Sequence, residues 1–538
     1  MHILFVTQQW QPETGVAQRR ARWMADQFLH AGASVSVICP PPHYPKGKLL
    51  SDDPRFQAHA VATMEHGETV YRSNFRPHTN KLTSRIVDQA VIAVSSLRSA
   101  RIAVRAQKPD LVFCTTPPLP AAFTAAIVAW RSHVPYIIDL RDAWPELVPY
   151  TIETEREPGQ PRKTARSYVR ALILRPILAV GGALFEQTIR GASGVITTSA
   201  EHARLIRSER GIPSLCLSNL LLAGEEMDSA PTDSTGTVAT ACSTLTDDAP
   251  GSVAPATETP VDRTRSSLLR SSMDGSGAAS TAVPTSVPTL NVLYPGTIGR
   301  AQGLENAIRA VAIAQEAGVR VNLLFVGGGV HRPIVRREVR WLHLETVHFI
   351  DWVSRDDLQA YTDAADTILV HLQDWPPLEH TVPSKVFDAI ASGKFVTIAA
   401  NGEAAQLVIE SGAGRAVPAM NPRALADLWI SLATDRAQLD THQRGPQWIN
   451  ERRQVMASAK ELDHFIHVVC AAHDSAQQVN KASTLPEKAR RAVLIAKHMG
   501  INTVHFLLVA RSHFKNQGIR LAGGIVDEGS PARQHEAP

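Results

Sequence analysis

The stretch from Asp366 to Ala399 sets the strongest limit on the fold. Asp366 to Leu372 (DTILVHL) is an apolar run of strand length, bounded by polar residues, and reads as a buried strand. Pro383 and Ser384 read as a helix start, with Pro in the first turn and Ser able to cap. Val386, Phe387 and Ile390 give that helix an apolar face, Gly393 is placed to end it, and Phe395 to Ala399 reads as the next strand. A strand, loop, short helix and strand of these lengths predict a parallel α/β sheet whose carboxyl edge receives a helix N-terminus. The N–H groups there attract anions, and Lys385 adds a positive charge on the first turn. Asp388 lies one turn after Ser384 on the same face. A diphosphate at the helix tip, with its ribose hydroxyls on Asp388, fits this arrangement. An ordinary helix packed on a sheet, with Lys385 and Asp388 in solvent, fits it too.

The same unit recurs along the chain. Ile3 to Val6, Ser34 to Cys39, Asp110 to Cys114, Tyr136 to Leu140 and Gly194 to Ser199 are strand candidates in the first half. Val16 to Ala31, Ala121 to Trp130 and Glu201 to Ser208 have helical spacing between and after them. In the second half Leu290 to Tyr294, Val321 to Val326 and Val347 to Ile350 are strands, with helices at Leu304 to Ala314, Asp357 to Ala365, Pro422 to Leu432 and Glu451 to Cys470. From Gly224 to about Pro288 the composition turns to Ser, Thr, Ala, Pro and Gly without apolar periodicity, which predicts a disordered insertion. At 538 residues there is room for two to three domains, and the expected division is 1–223, a linker at 224–289, 290–473, and a tail at 474–538. Within the tail Pro486 to His498 reads as helix and Thr503 to Val509 as strand.

Composition excludes several function classes. A net charge of +4 does not point to nucleic acid. Five scattered cysteines without a CxxC pair argue against a disulfide framework or a zinc site and for a reducing compartment. The start, MHILFVTQQW, has no basic leader, and no apolar stretch reaches membrane-spanning length. The expected location is the cytosol or the cytosolic face of a membrane. Arg162 to Arg190 is the most membrane-like part, alternating Arg162, Lys163, Arg166, Arg170, Arg175 and Arg190 with Leu172, Ile173, Leu174, Ile177, Leu178, Leu184 and Phe185. It suits an anionic membrane surface, or a buried helix with snorkelling arginines, and Pro176 and Gly181-Gly182 are expected to break it.

The pattern P-S-K-x-F-[DE]-x-x-A-x-G-[KR] from Pro383 to Lys394 resembles the nucleotide-sugar site of family 4 glycosyltransferases. These have the GT-B fold, two Rossmann-like α/β domains facing across a cleft. Two further stretches resemble the branch that builds bacterial surface polysaccharides: the loop Pro40 to Lys48 (PPPHYPKGK), carrying His43, Tyr44 and Lys46, and the D-x-W-P-E from Asp142 to Glu146. The resemblance covers roughly Met1 to Leu220 and Leu290 to His473.

The resemblance implies transfer of a sugar from a nucleotide-diphosphate donor, with retention of configuration, to an acceptor that in this branch is lipid-linked. No cofactor is implied, and no DxD motif in either half calls for a metal. The implied partners are the donor, the lipid-linked glycan and the anionic surface of the inner membrane face. Lys385 and the helix tip at Ser384 would face the diphosphate, and Asp142 the acceptor hydroxyl or the sugar, although Asp142 also reads as a cap. Asp139 and Glu146 lie near the same strand end. Gly15 would lie close to the leaving group or be a plain turn glycine. Gly296 and Gly299 belong to the turn Pro295 to Arg300, and Gly327 and Gly329 to the loop after the next strand, where Arg332 would meet a phosphate. Val353 lies in the segment whose backbone meets the base. The sequence departs from the family in two places. Thr297 and Gln302 stand where an Arg and a Lys clamp the diphosphate, leaving Arg300 or Lys385 to substitute. Asp388 holds the second position of the family's E-x7-E motif, but His380 stands at the first, with Glu379 one place off and Glu403 further on. A non-catalytic nucleotide- or glycan-binding scaffold and a sugar-nucleotide epimerase are the competing expectations.

Overall fold

Strand β1, His2–Val6, runs through the middle of an eight-stranded sheet, where all five of its residues are buried. The computed structural model describes residues 1–13, 15–44, 47–78, 82–147, 150, 179–219, 287–455 and 459–482. The other strands of this sheet are β2 (Ser34–Cys39), β3 (Val61–Thr63), β4 (Thr69–Arg72), β5 (Leu111–Thr116), β6 (Tyr136–Leu140), β7 (Gly194–Thr197) and β8 (Ser214–Cys216), in the spatial order β3-β4-β2-β1-β5-β6-β7-β8. Every pair is parallel except β3 with β4. The helices Val16–His30, Leu82–Ala106, Pro120–Ser132 and Ala200–Arg210 connect them. Near-continuous apolar strands such as LVFCTT and YIIDL are what a sheet covered on both faces requires.

Six parallel strands make the second sheet: β9 (Thr289–Pro295), β10 (Arg320–Val326), β11 (Val347–Ile350), β12 (Thr367–His371), β13 (Phe395–Ala399) and β14 (Gly414–Val417). Their spatial order, β11-β10-β9-β12-β13-β14, is the 3-2-1-4-5-6 arrangement of a doubly wound Rossmann unit. Its core gathers Tyr294, Phe325, Leu369 and Trp429 between the sheet and the helices Glu305–Glu316 and Pro422–Thr434.

The structure departs from the sequence reading at several elements. Glu451 to Cys470 is not one helix but the end of Arg444–Val455 and the first half of Ala459–Ala482. The second of these packs in the first unit, where the Phe465 and Val469 side chains close over Gly194, so the chain returns to the first unit rather than closing the second. Residues 179–190 are helical, so Gly181-Gly182 does not break the chain there. β3, β4 and the Leu82–Ala106 helix were not foreseen. Most of the insertion expected at 224–289, most of Arg162 to Arg190, and the tail elements at Pro486 to His498 and Thr503 to Val509 lie outside the described residues.

Candidate active site

In the second unit the strand order reverses between β9 and β12, and open α/β sheets bind ligands beyond the strand ends at such a switch point. Three contacts tie its two sides together. Lys385 Nζ, from the helix after β12, donates to Tyr294 Oη on β9 at 2.7 Å and sits 4.5 Å from the ring centroid. Asn306 Nδ2 lies 2.8 Å from His371 Nε2, and Gln373 N donates to Ala301 O at 2.8 Å. The Tyr294 hydroxyl in turn donates to Thr297 O at 2.7 Å, so one phenol holds the lysine and the glycine turn at once. Tyr294 is fully buried, and Lys385 is part-buried rather than surface-facing as the sequence implied. Burial lowers the Lys385 pKa from 10.5 to about 7.

The helix begins at Ser384 and ends at Ala391, with Gly393 at φ 72° just beyond. Its N-cap is Pro383, and Ser384 makes no side-chain cap. The first-turn amides are therefore not consumed by a capping side chain, which leaves the helix tip open to an anion. Asp388 is exposed on the same helix. His380 ends the short 3-10 turn Pro376–His380, and Val353 packs partly buried beside Val326 and Leu293.

The glycine loops serve each other. A Cβ on Gly327 would lie 2.2 Å from Gly296 O, and one on Gly329 2.2 Å from Ile298 O. Gly296 N donates to Val326 O at 2.8 Å and Ile298 N to Gly328 O at 2.9 Å, so the turns after β9 and β10 interlock backbone to backbone. Gln302, standing where the family has a lysine, braces the same turn by accepting from Gly299 N at 3.0 Å. Arg300 opens the 3-10 turn that follows. Arg332 pairs with Asp351 and lies 5.8 Å over the Phe349 ring.

In the first unit the carboxylates after β6 divide. Asp139 is wholly buried and takes a bidentate pair of bonds from Arg20, at 2.8 to 3.2 Å, plus the Thr115 hydroxyl at 3.0 Å. Glu146 pairs with Arg210, which also holds Glu186. Both carboxylates are thus engaged by arginine side chains. Asp142 has no cation within salt-bridge distance among the described residues. Its pKa is raised by burial and by Asp139, against the pull of Arg141. Gly15 takes φ 153° at the N-cap of the Val16–His30 helix and lies open, with nothing within 4 Å of the place a Cβ would take.

The proline-rich loop after β2 is held from residues that carry no motif. Glu13 Oε1 accepts from His43 N at 2.7 Å and Tyr44 N at 2.9 Å, and burial raises its pKa to about 7. His43 stacks on Phe75, with centroids 4.6 Å apart. Tyr294, Asn306, His371 and Glu13 were missed from the sequence because each acts through contacts with residues distant in the chain. Only the position of Tyr294, next to a glycine turn at a strand end, offered a signal.

Residues 15–215 match the family model for a glycosyl transferase 4-like domain, and residues 289–435 the model for glycosyl transferases group 1. The chain carries the two domains of a family 4-type glycosyltransferase. No curated protein gives a significant match. Among solved structures, sucrose-phosphate synthase from Thermosynechococcus elongatus is 16% identical with a TM-score of 0.51, covering 90% of this chain and 100% of that one. HepE from Anabaena, solved in complex with UDP, is 15% identical with a TM-score of 0.46, covering 88% and 100%. The first likeness is one of fold, and the two Rossmann-like sheets are those of a GT-B glycosyltransferase.

Proposed function

We propose that this glycosyltransferase binds a nucleotide-diphosphate sugar at the switch point of its second sheet and transfers the sugar with retention of configuration. The observation that carries this reading is Lys385 held at the open tip of the Ser384–Ala391 helix by Tyr294. Breaking the bond to the anomeric carbon leaves an oxocarbenium-like sugar and a diphosphate with added negative charge. A fixed ammonium and a row of backbone N–H groups stabilise that charge where it develops. Lys385 takes the place of the cations that Thr297 and Gln302 do not supply, and Asp388 is assigned to the ribose hydroxyls. Asp142, in the first unit, is assigned to the acceptor side, where a carboxylate with a raised pKa can share a proton with a hydroxyl.

The acceptor we assign is lipid-linked, and the pathway surface-polysaccharide assembly on the inner membrane face. The Pro40 to Lys48 loop and the Asp142 to Glu146 motif support this, as does the basic, apolar composition of Arg162 to Arg190. No helix among the described residues is long and apolar enough to cross a membrane. The test is a panel of nucleotide sugars offered to purified protein, with calorimetry for binding and nucleotide release for turnover. Lys385→Ala is expected to lower kcat by about a hundred-fold, the scale of one preorganised donor. Unchanged turnover in that variant would remove the assignment.

A further inference from the structure

Three side chains from separated segments converge beneath the proline-rich loop. His43 comes from the loop, His78 from the segment before the Leu82–Ala106 helix, and Asp88 from that helix. Their ligand-capable atoms all lie within 4.8 Å of one another. His43 Nε2 and His78 Nε2 each stand 3.8 Å from the same oxygen, Asp88 Oδ2. That is too long for a hydrogen bond. Two imidazoles therefore aim at one carboxylate oxygen of a wholly buried residue without bonding it.

The surroundings orient His43 and Asp88 as ligands. His43 Nδ1 lies 2.7 Å from Pro41 O, which fixes the proton on Nδ1 and leaves the Nε2 lone pair facing Asp88. Phe75 stacks on the ring and stops its rotation. The other Asp88 oxygen, Oδ1, accepts from Arg76 N at 2.9 Å, so Oδ2 is turned inward by a backbone bond. His78 N donates to Gly47 O at 3.0 Å, tying its segment to the far end of the same loop. Imidazole nitrogen pinned by a carbonyl, and carboxylate pinned by an amide, are the outer contacts that metal ligands need.

We propose that His43, His78 and Asp88 bind a divalent transition metal ion, for which Zn²⁺ is the best match. Two imidazoles and one carboxylate suit Zn²⁺, which takes such ligands at about 2.0–2.2 Å. Ligand atoms around a tetrahedral ion then stand about 3.4 Å apart, so the 3.8 Å spacings to Asp88 need to close by a few tenths of an ångström, and all three atoms, now within 4.8 Å of one another, need to draw together. Three protein ligands leave a position for water or for an oxygen of a bound molecule. The ion would clip the proline-rich loop to the Leu82–Ala106 helix. No motif spacing announces the site, because its ligands are separated by 35 and 10 positions in the sequence and meet only in the fold.

The test uses the full chain without an affinity tag, stripped with chelator and exchanged into metal-free buffer. Zn²⁺ is titrated against a chromophoric chelator, and Co²⁺ is added separately to read its visible spectrum. The parent is expected to hold one equivalent of Zn²⁺ and to melt at a higher temperature with it. His78→Ala and Asp88→Asn are expected to lose both the equivalent and the shift in melting. His467→Ala, which alters an exposed His–Asp pair elsewhere, is expected to keep them. Should Asp88→Asn fail to fold by circular dichroism, the half-buried His78→Ala decides the comparison. A parent that retains no equivalent, a His78→Ala that binds as the parent does, or a Co²⁺ spectrum with a thiolate charge-transfer band would each overturn the proposal.

Discussion

Lys385 Nζ donates to the Tyr294 hydroxyl at 2.7 Å, and the same hydroxyl donates to Thr297 O at 2.7 Å. One phenol thus sets the position of the cation and of the turn that faces it across the switch point. Tyr294→Phe keeps the ring and its packing but leaves the carbonyl and the ammonium without this partner. The expected loss is about 1–3 kcal/mol in urea unfolding. Turnover is expected to fall less than in Lys385→Ala, since the charge stays. A Tyr294→Phe protein as stable as the parent would show that the hydroxyl does not organise the site.

The part-buried ammonium makes the site sensitive to pH. The Lys385 pKa falls from 10.5 in the unfolded chain to about 7 in the fold. Between these values the unfolded chain holds the extra proton, so this group makes stability rise as pH increases from about 7 toward 10.5. Below pH 7 both states are protonated and the full cost of burying the charge remains. Lys385→Met is expected to raise the melting temperature near pH 6 and to flatten the rise above pH 7. A nucleoside diphosphate favours the ammonium, so its binding near pH 7.5 is expected to take up a proton. Calorimetry in buffers of different ionisation enthalpy measures that uptake, and none should appear in Lys385→Met.

Asp139 and Asp142 look alike in the sequence, three residues apart at one strand end, yet only Asp139 is locked to Arg20 with both groups buried. Asp139→Asn leaves the guanidinium uncompensated and is expected to cost about 3–5 kcal/mol of stability. Arg20→Met combined with Asp139→Leu removes both charges and is expected to be neutral to stabilising by roughly 1–4 kcal/mol. Asp142→Asn is expected to lower turnover while leaving the melt close to the parent's. Chemical denaturation of the three proteins separates the roles, and a mild Asp139→Asn would contradict the structural assignment.

Which parts were legible follows from the range of the forces involved. Tyr136–Leu140 and Phe395–Ala399 stood out because buried parallel strands are near-continuous apolar runs. Val61–Thr63 did not, since it is a three-residue edge strand with its first and last residues exposed. The Leu82–Ala106 helix escaped because small and polar residues interrupt its apolar face. Lys385 was readable from local chemistry at a helix start. Its partner Tyr294 lies 91 residues away, and no local pattern records a contact of that span. Ser384 shows the reverse error: the residue type suits a cap, but Pro383 occupies the cap position.

Gly327 tests whether the glycine loops exist for a ligand or for each other. Its φ of 138° is one that L side chains rarely adopt, and a Cβ would lie 2.2 Å from Gly296 O. Gly327→Ala must strain the residue and push the interlocked turns away from each other, at an expected cost of at least about 1–3 kcal/mol without any ligand present. Urea unfolding of the free protein checks this. If the variant is as stable as the parent and loses only nucleotide affinity, the glycine serves ligand approach instead.

The membrane assignment rests on charge and exposed apolar surface together. Within the helical residues 179–190, Val180 and Leu184 lie one turn apart and are 59% and 49% exposed, while Phe185 and Ile189 are buried. Val180, Ala183 and Leu184 therefore form an exposed apolar patch in the first part of this segment, and the basic residues Arg162, Lys163, Arg166 and Arg170 precede it in the chain. Each basic side chain near an anionic leaflet contributes about 1 kcal/mol. Replacing those four with Gln is expected to weaken binding to phosphatidylserine-containing vesicles by about 4 kcal/mol, roughly three tenfold steps. Raising the salt concentration should weaken the parent in the same direction, because exposed charges are screened within about 8–10 Å. Val180→Ser with Leu184→Ser removes apolar area and should weaken binding to neutral and anionic vesicles alike, with little effect of salt on the loss. Sedimentation with vesicles of both compositions reads the two contributions separately. A parent that stays in the supernatant with anionic vesicles at low salt would show that this segment meets protein rather than lipid.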